Sequence, residues 1–117
     1  MYDNNNVFAK ILRKEINSKV VLDTKTTLVF HDISPAAPIH LIAIPKKKLK
    51  SFSDFILNDD KEYLYKFSLD IQNVIEQQGL ISSGYRLITN HGDHGQQIIN
   101  HFHIHILGGK NLGPIIL

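Results

Sequence analysis

The stretch "NHFHIHILGG" (residues 100–109) decides how this 117-residue chain is read. It sets His101, His103 and His105 on alternate positions, with Phe102, Ile104 and Ile106 between and beyond them and two glycines at the close. In a strand, residues i, i+2 and i+4 share a face. Three imidazoles therefore line one side, and three apolar side chains are free to pack against a layer of helices.

The rest of the chain supplies that layer and the neighbouring strands. "GYRLITN" (84–90) reads as the strand before, joined to the histidine strand (101–107) by the glycine-containing loop "HGDHGQQIIN". Upstream, Leu64, Phe67, Ile71, Val74, Ile75 and Gln78 form one helical stripe. Asp59 and Glu62 give that helix a capping-box start, and Gly79 gives it a stop. At the front, Val7, Phe8, Ile11 and Leu12 predict a short amphipathic helix over 7–15. "KVVLD" and "TTLVFHD" predict a hairpin turning around 23–25, and "IHLIAIP" a further strand covered on both faces. The class is α+β: an antiparallel sheet of about five strands with two helices on one face, in a single domain spanning 1–117.

Composition narrows the function classes. Hydrophobic residues at 43% and charged residues at 21% are ordinary globular values. A formal charge of +2 gives no reason to expect nucleic acid. With no cysteine, disulfides, thiolate metal sites and a thiol nucleophile are excluded. No apolar run suits a membrane span and the start does not resemble a secretory signal, so the expected location is cytoplasmic. The lysines of "PKKKLK" (45–50) read as a solvated turn between strand and helix rather than as a steering patch.

Three readings of the histidine run compete. One is a solvated strand face. A second is zinc: His101 and His105 stand ~13 Å apart along a strand, so only an i, i+2 pair could chelate, with His40, His91 or His94 as third ligand. The third is phosphate chemistry, in which one neutral ring attacks phosphorus and another donates to its oxygens. The glycine loop ahead of the strand could add backbone N–H donors.

"HFHIHILGG" resembles the H-φ-H-φ-H-φ-φ signature of the histidine triad superfamily. "FHDISPAAPIHLIAIPKK" and the "HILGG" ending look like its nucleotide-binding (Hint) branch, and "GYRLITNHG" falls in the matching order. The resemblance covers nearly the whole chain. It implies a hydrolase of nucleoside monophosphate derivatives, purine phosphoramidates of the adenosine monophosphate-amide type, acting through a nucleotidyl-histidine intermediate. His103 matches the nucleophile, His105 the phosphate donor, and His101 and His40 the rings that orient the centre. Phe30, His31, Asp32 and Ile33 match the segment around base and ribose, with Asp32 as acceptor for the ribose hydroxyls, although "HDISP" also suits an Asx turn. Val7, Phe8, Ile11, Ile33 and Ile42 would form the purine slot, Asn90 would lie near phosphate, and Gln97 matches the family's glutamine among the nucleotide-binding residues. No metal or cofactor is expected. The expected partners are an AMP-like ligand and a second copy in a homodimer, with no nucleic acid and no membrane. The alternatives are a nucleotide-binding protein with weak catalysis and a dinucleoside polyphosphate hydrolase.

The chain departs from that pattern at "QQI". Ile98 stands where the family usually has a serine or threonine that contacts phosphate and leaving group. Gln96 replaces a small residue whose N–H faces phosphate, a group that the substitution by itself leaves available. The tail "KNLGPIIL" (110–117) lacks the aromatic residue that some relatives carry there.

Overall fold

The computed structural model describes residues 1–115. Ile116 and Leu117, the end of the expected domain and of the tail, lie outside the described residues. Eight elements follow in order: α1 (Val7–Leu12), β1 (Val20–Asp23), β2 (Thr27–His31), β3 (Ile39–Pro45), α2 (Phe52–Ile56), α3 (Lys61–Gln77), β4 (Arg86–Ile88) and β5 (Ile104–Gly108). The strands form one five-stranded sheet in the order β1-β2-β3-β5-β4, with every neighbouring pair antiparallel. No helix among the described residues is long and apolar enough to cross a membrane.

Strand alternation sends side chains to two different cores. Val29, Leu41, Ala43 and Ile106 meet Phe55 of α2 and Phe67, Ile71, Val74 and Ile75 of α3, with Phe102 buried among them. Phe55 and Phe102 stack with centroids 4.7 Å apart. On the opposite face Leu28, Phe30, Ile42 and Ile44 pack against Phe8 and Ile11 of α1. The helices thus cover both faces, not one. The short helix α2, which its sequence does not announce, makes three. Only six residues long, α1 is too short to persist alone. It is held by its Asn6 cap, which accepts from the Ala9 N–H at 2.9 Å, and by burial of Phe8 and Ile11. Fully burying one such side chain is worth about 1.5–3 kcal/mol.

Several boundaries shift for local reasons. The cap of α3 is Asp60, one residue after the expected Asp59; its Oδ1 accepts from the Tyr63 N–H at 3.0 Å. The hairpin turns at 24–26, where Thr24 Oγ1 accepts from the Thr27 N–H at 3.0 Å. Regular pairing in β5 starts only at Ile104. Before it, the Phe102 N–H is drawn to the Leu49 carbonyl at 2.7 Å and the Thr89 hydroxyl donates to the His103 carbonyl at 2.8 Å. The closing glycines are steric requirements. A Cβ at Gly108 would sit 2.7 Å from Leu80 Cδ2, and Gly109 has φ +89°.

Candidate functional site

A cleft of about 390 Å³ opens between α1, the end of β2 and the 91–100 loop, within the usual ~300–1,000 Å³ of small-molecule sites. His103 and His105 line it beside Asp32. His101 and His40 stand behind it, both buried. Phe30, His31, Ile33, Phe8, Ile11, Ile42, Asn90, Gln97 and Ile98, together with Val7, all line the cleft. So do Ile16, Asn17 and Ser18 from the α1–β1 connection and Ile99, which carry no chemical signature and are brought there by the fold alone.

The backbone dictates where each imidazole carries its proton. A carbonyl oxygen only accepts, so His103 Nδ1, 2.7 Å from the His101 carbonyl, must bear the proton and donate. That leaves Nε2 of His103 with a bare lone pair. Likewise His101 Nε2, 2.8 Å from the Pro45 carbonyl, carries its proton. The second chain starts at Ala36, whose N–H donates to His40 Nδ1 at 3.0 Å. Neutral His40 therefore holds its proton on Nε2, facing His105 Nδ1 at 2.9 Å and Asp32 Oδ2 at 3.3 Å. His105 Nδ1 must accept, so His105 Nε2 bears a proton and is a donor. One ring is left with a free lone pair and its neighbour with an N–H to donate.

His101 and His40 thus reach the other two rings by different routes, neither of them a ring-to-ring hydrogen bond to His103. His101 holds His103 through its main-chain carbonyl, and the ring of His40 bonds His105. Asp32 also forms the Asx turn, its Oδ1 accepting from the Ser34 N–H at 2.8 Å. An ionised carboxylate retains further acceptor sites for hydroxyl groups in the cleft.

Burial disfavours the charged form of His101, His103 and His105. It lowers His101 and His105 from the ordinary 6.5 to about 4, with repulsion from His103 and His40 adding to the effect at His105, and it lowers His103 as well. Well above pH 6.5 the folded and unfolded rings are both uncharged. As pH falls from 6.5 toward 4, the unfolded chain binds protons that the folded chain refuses, so stability is lost. For the buried His101 alone the loss is about 3 kcal/mol. Thermal unfolding followed from pH 7 to 4 should show the midpoint falling through this window; a flat midpoint contradicts neutral burial.

The only group of potential metal ligands among the described residues is Asp32, His40 and His105, with atoms within 4.8 Å of one another. It does not include His91 or His94. It also fits a metal poorly, because the Ala36 N–H occupies the lone pair of His40 Nδ1 and forces the proton onto the Nε2 that would have to ligate.

The loop ahead of β5 is clamped rather than open. Gln97 Nε2 donates to the carbonyls of Lys50 at 2.6 Å and Ile99 at 3.1 Å, and Gln97 Oε1 accepts from the Gly92 N–H at 3.3 Å. His91 Nδ1 lies 2.7 Å from Ser51 Oγ. The N–H groups of Gln96 and Gln97 donate to the Asp93 and Gly92 carbonyls, both at 3.0 Å. Gln96 takes φ +55° to do so. The N–H of Gln96 is therefore not presented to a ligand, contrary to expectation. Two lysines of the run are occupied locally: Lys46 pairs with Asp23, and Lys47 lies 3.3 Å from Asp60 and over the Tyr63 ring.

Comparison with known proteins agrees with this arrangement. Residues 5–115 match the family described as "Scavenger mRNA decapping enzyme C-term binding". An uncharacterized HIT-like protein of Rickettsia prowazekii (strain Madrid E) is 43% identical over 116 residues, covering 99% of this chain and 97% of that protein. The purine nucleoside phosphoramidase of Escherichia coli (strain K12) is 37% identical over 110 residues, 94% of this chain and 92% of the enzyme. Among solved structures, a HIT family hydrolase from Clostridium thermocellum superposes with a TM-score of 0.88 at 35% identity, over 98% of this chain and 99% of that one. With the alternating histidines, the five-stranded sheet and these relatives in agreement, the chain belongs to the histidine triad (HIT) family.

Proposed function

We propose that this protein hydrolyses nucleoside 5′-monophosphate derivatives, purine phosphoramidates of the adenosine monophosphate-amide type above all, through a covalent nucleotidyl-His103. The observation that carries the proposal is the pair of opposite tautomers at the cleft: a bare Nε2 on His103 and a protonated Nε2 on His105. The name of the E. coli relative supports the substrate class.

In this reading the purine lies among Val7, Phe8, Ile11, Phe30, Ile33 and Ile42, and the ribose hydroxyls donate to Asp32. His103 Nε2 attacks the α-phosphorus. A P–N bond forms to imidazole as the P–N bond to the leaving amine breaks, and the amine departs with a proton drawn from solvent. The ring is then an imidazolium whose Nδ1–H still points at the His101 carbonyl, so the positive charge that develops on attack strengthens a hydrogen bond already in place. His105 Nε2–H donates to a phosphoryl oxygen. Water then attacks the same phosphorus, releases the nucleoside monophosphate and returns the lone pair to His103.

Incubation with adenosine 5′-phosphoramidate tests this. The expected result is release of AMP and ammonia, with an intact mass raised by one adenylate group trapped early in turnover. AMP binding with neither product nor adduct would make the protein a nucleotide-binding module instead. We also read β4, an edge strand with Leu87 and Ile88 exposed, as the surface where a second copy pairs. Light scattering should then give twice the 13.3 kDa chain mass, and a single-chain mass removes that reading.

A further inference from the structure

The hydrogen bonds that fix the nucleophile continue past His101 to a residue outside the cleft. The hydroxyl of Tyr2 lies 2.5 Å from His101 Nδ1, and the two rings meet edge to face at 5.6 Å and 69°. Because His101 Nε2 carries the proton toward Pro45, the neutral ring offers only a lone pair at Nδ1, so the Tyr2 hydroxyl donates. His101 is 0% exposed, and no other donor reaches that nitrogen among the described residues. The tyrosine is held in turn by the folded segment ahead of α1. Asn6 Nδ2 donates to the Asp3 carbonyl at 2.8 Å and Arg13 Nη1 to the Asn4 carbonyl at 2.8 Å. Phe8, at the start of α1, lays its ring edge against His103 at 4.9 Å. This segment is thus strapped across the back of the histidine run.

We propose that Tyr2 is a positioning residue for the nucleophile: its hydroxyl locks the His101 ring, and the carbonyl of that locked residue keeps the His103 proton on Nδ1. The inference rests on the reading of His103 given above. Its physical basis is the asymmetry of buried hydrogen bonds. A buried acceptor that loses its donor is far worse off than one that never needed it. Without the hydroxyl, the His101 ring has reason to turn or to shift toward water, and its main chain shifts with it. The carbonyl then aims less well at His103 Nδ1, and His103 samples the tautomer with its proton on Nε2. That form has no lone pair for phosphorus. Tyr2 does not line the cleft, so substrate contacts are untouched.

The test is Tyr2→Phe, which keeps the ring and deletes the hydroxyl. Turnover of adenosine 5′-phosphoramidate should fall about tenfold, the worth of one lost hydrogen bond, while KM stays within about twofold. Imidazole nitrogen NMR near neutral pH gives an arm that needs no substrate. The parent protein should show His103 with a protonated Nδ1 and an unprotonated Nε2, and the variant an averaged pair. Unchanged kcat per active site with unchanged His103 nitrogen signals overturns the proposal, even if the variant melts at a lower temperature. If the parent protein fails to turn over the phosphoramidate, the reading of the substrate fails, while the nitrogen signals still decide the role of Tyr2.

Discussion

His103→Ala is expected to abolish the adenylate adduct and to lower phosphoramidate turnover by about 10⁴-fold or more, as removal of a catalytic nucleophile does elsewhere. The size of the effect follows from the geometry. His103 is the one ring lining the cleft whose Nδ1 proton is fixed by a main-chain carbonyl, at 2.7 Å, so that its lone pair is always on Nε2. His105 cannot substitute, because the chain from Ala36 through His40 places a proton on its Nε2. The variant should still fold. It forfeits one buried hydrogen bond at the His101 carbonyl, roughly 1–3 kcal/mol, and leaves both apolar cores intact. AMP affinity should persist, since Asp32 and the apolar slot remain. Intact mass after mixing with substrate decides the matter: an adduct retained in the alanine variant would assign the nucleophile to another residue.

The fold was legible wherever periodicity met a buried face. Phe102, Ile104 and Ile106 announced the helical layer, and α3 followed from its stripe of Phe67, Ile71, Val74 and Ile75. The side taken by α1 was not legible, because Phe8 and Ile11 are equally apolar toward either face of a sheet. Only the strand register, which puts Leu28, Phe30, Ile42 and Ile44 opposite them, decides it. The short α2 was hidden for another reason. Ser51 heads it with no side-chain cap bond, and only Phe55 is buried on it, so five residues carry no recurring pattern.

The residues gathered at the cleft were legible as a set, but their proton positions were not. Alternation placed His101, His103 and His105 on one side, and "HDISP" placed Asp32 near them. That His101 works through its carbonyl, and His40 through His105, depends on distances to Pro45, Ala36 and one another. No spacing rule encodes those. Tyr2 lies 99 positions from the histidine it bonds, in a segment with no periodicity, and nothing in the sequence shows that the amide of Gln97, which lines the cleft, also clamps the loop to Lys50 and Ile99. Long-range polar contacts of this kind arise only after the chain is folded.

Ile98→Ser is expected to raise turnover of adenosine phosphoramidates, by as much as the ~10²-fold that one transition-state donor contributes. Two observations make the site permissive. The Ile98 side chain is 90% exposed at the edge of the cleft, so its removal opens no cavity and disturbs no core. Its main chain is already pinned by the Gln97 amide on one side and by the Phe102 N–H bond to Leu49 a few residues on, so a hydroxyl placed there would not wander. The need for a donor is sharpened by the loop. Its Gln96 and Gln97 N–H groups are turned inward onto the Asp93 and Gly92 carbonyls, which removes two main-chain donors and leaves His105 Nε2–H and the Asn90 amide among the side chains of the cleft. A serine hydroxyl at 98 would add a further donor where the cleft now presents a branched hydrocarbon. The gain should appear in kcat for a small amine leaving group, with KM for the nucleotide little changed because Asp32 and the purine slot are unaltered. Single-turnover rates of adenylate formation in the two proteins provide the measurement. A rate in the serine variant equal to or below that of the parent would remove position 98 from the phosphate contacts.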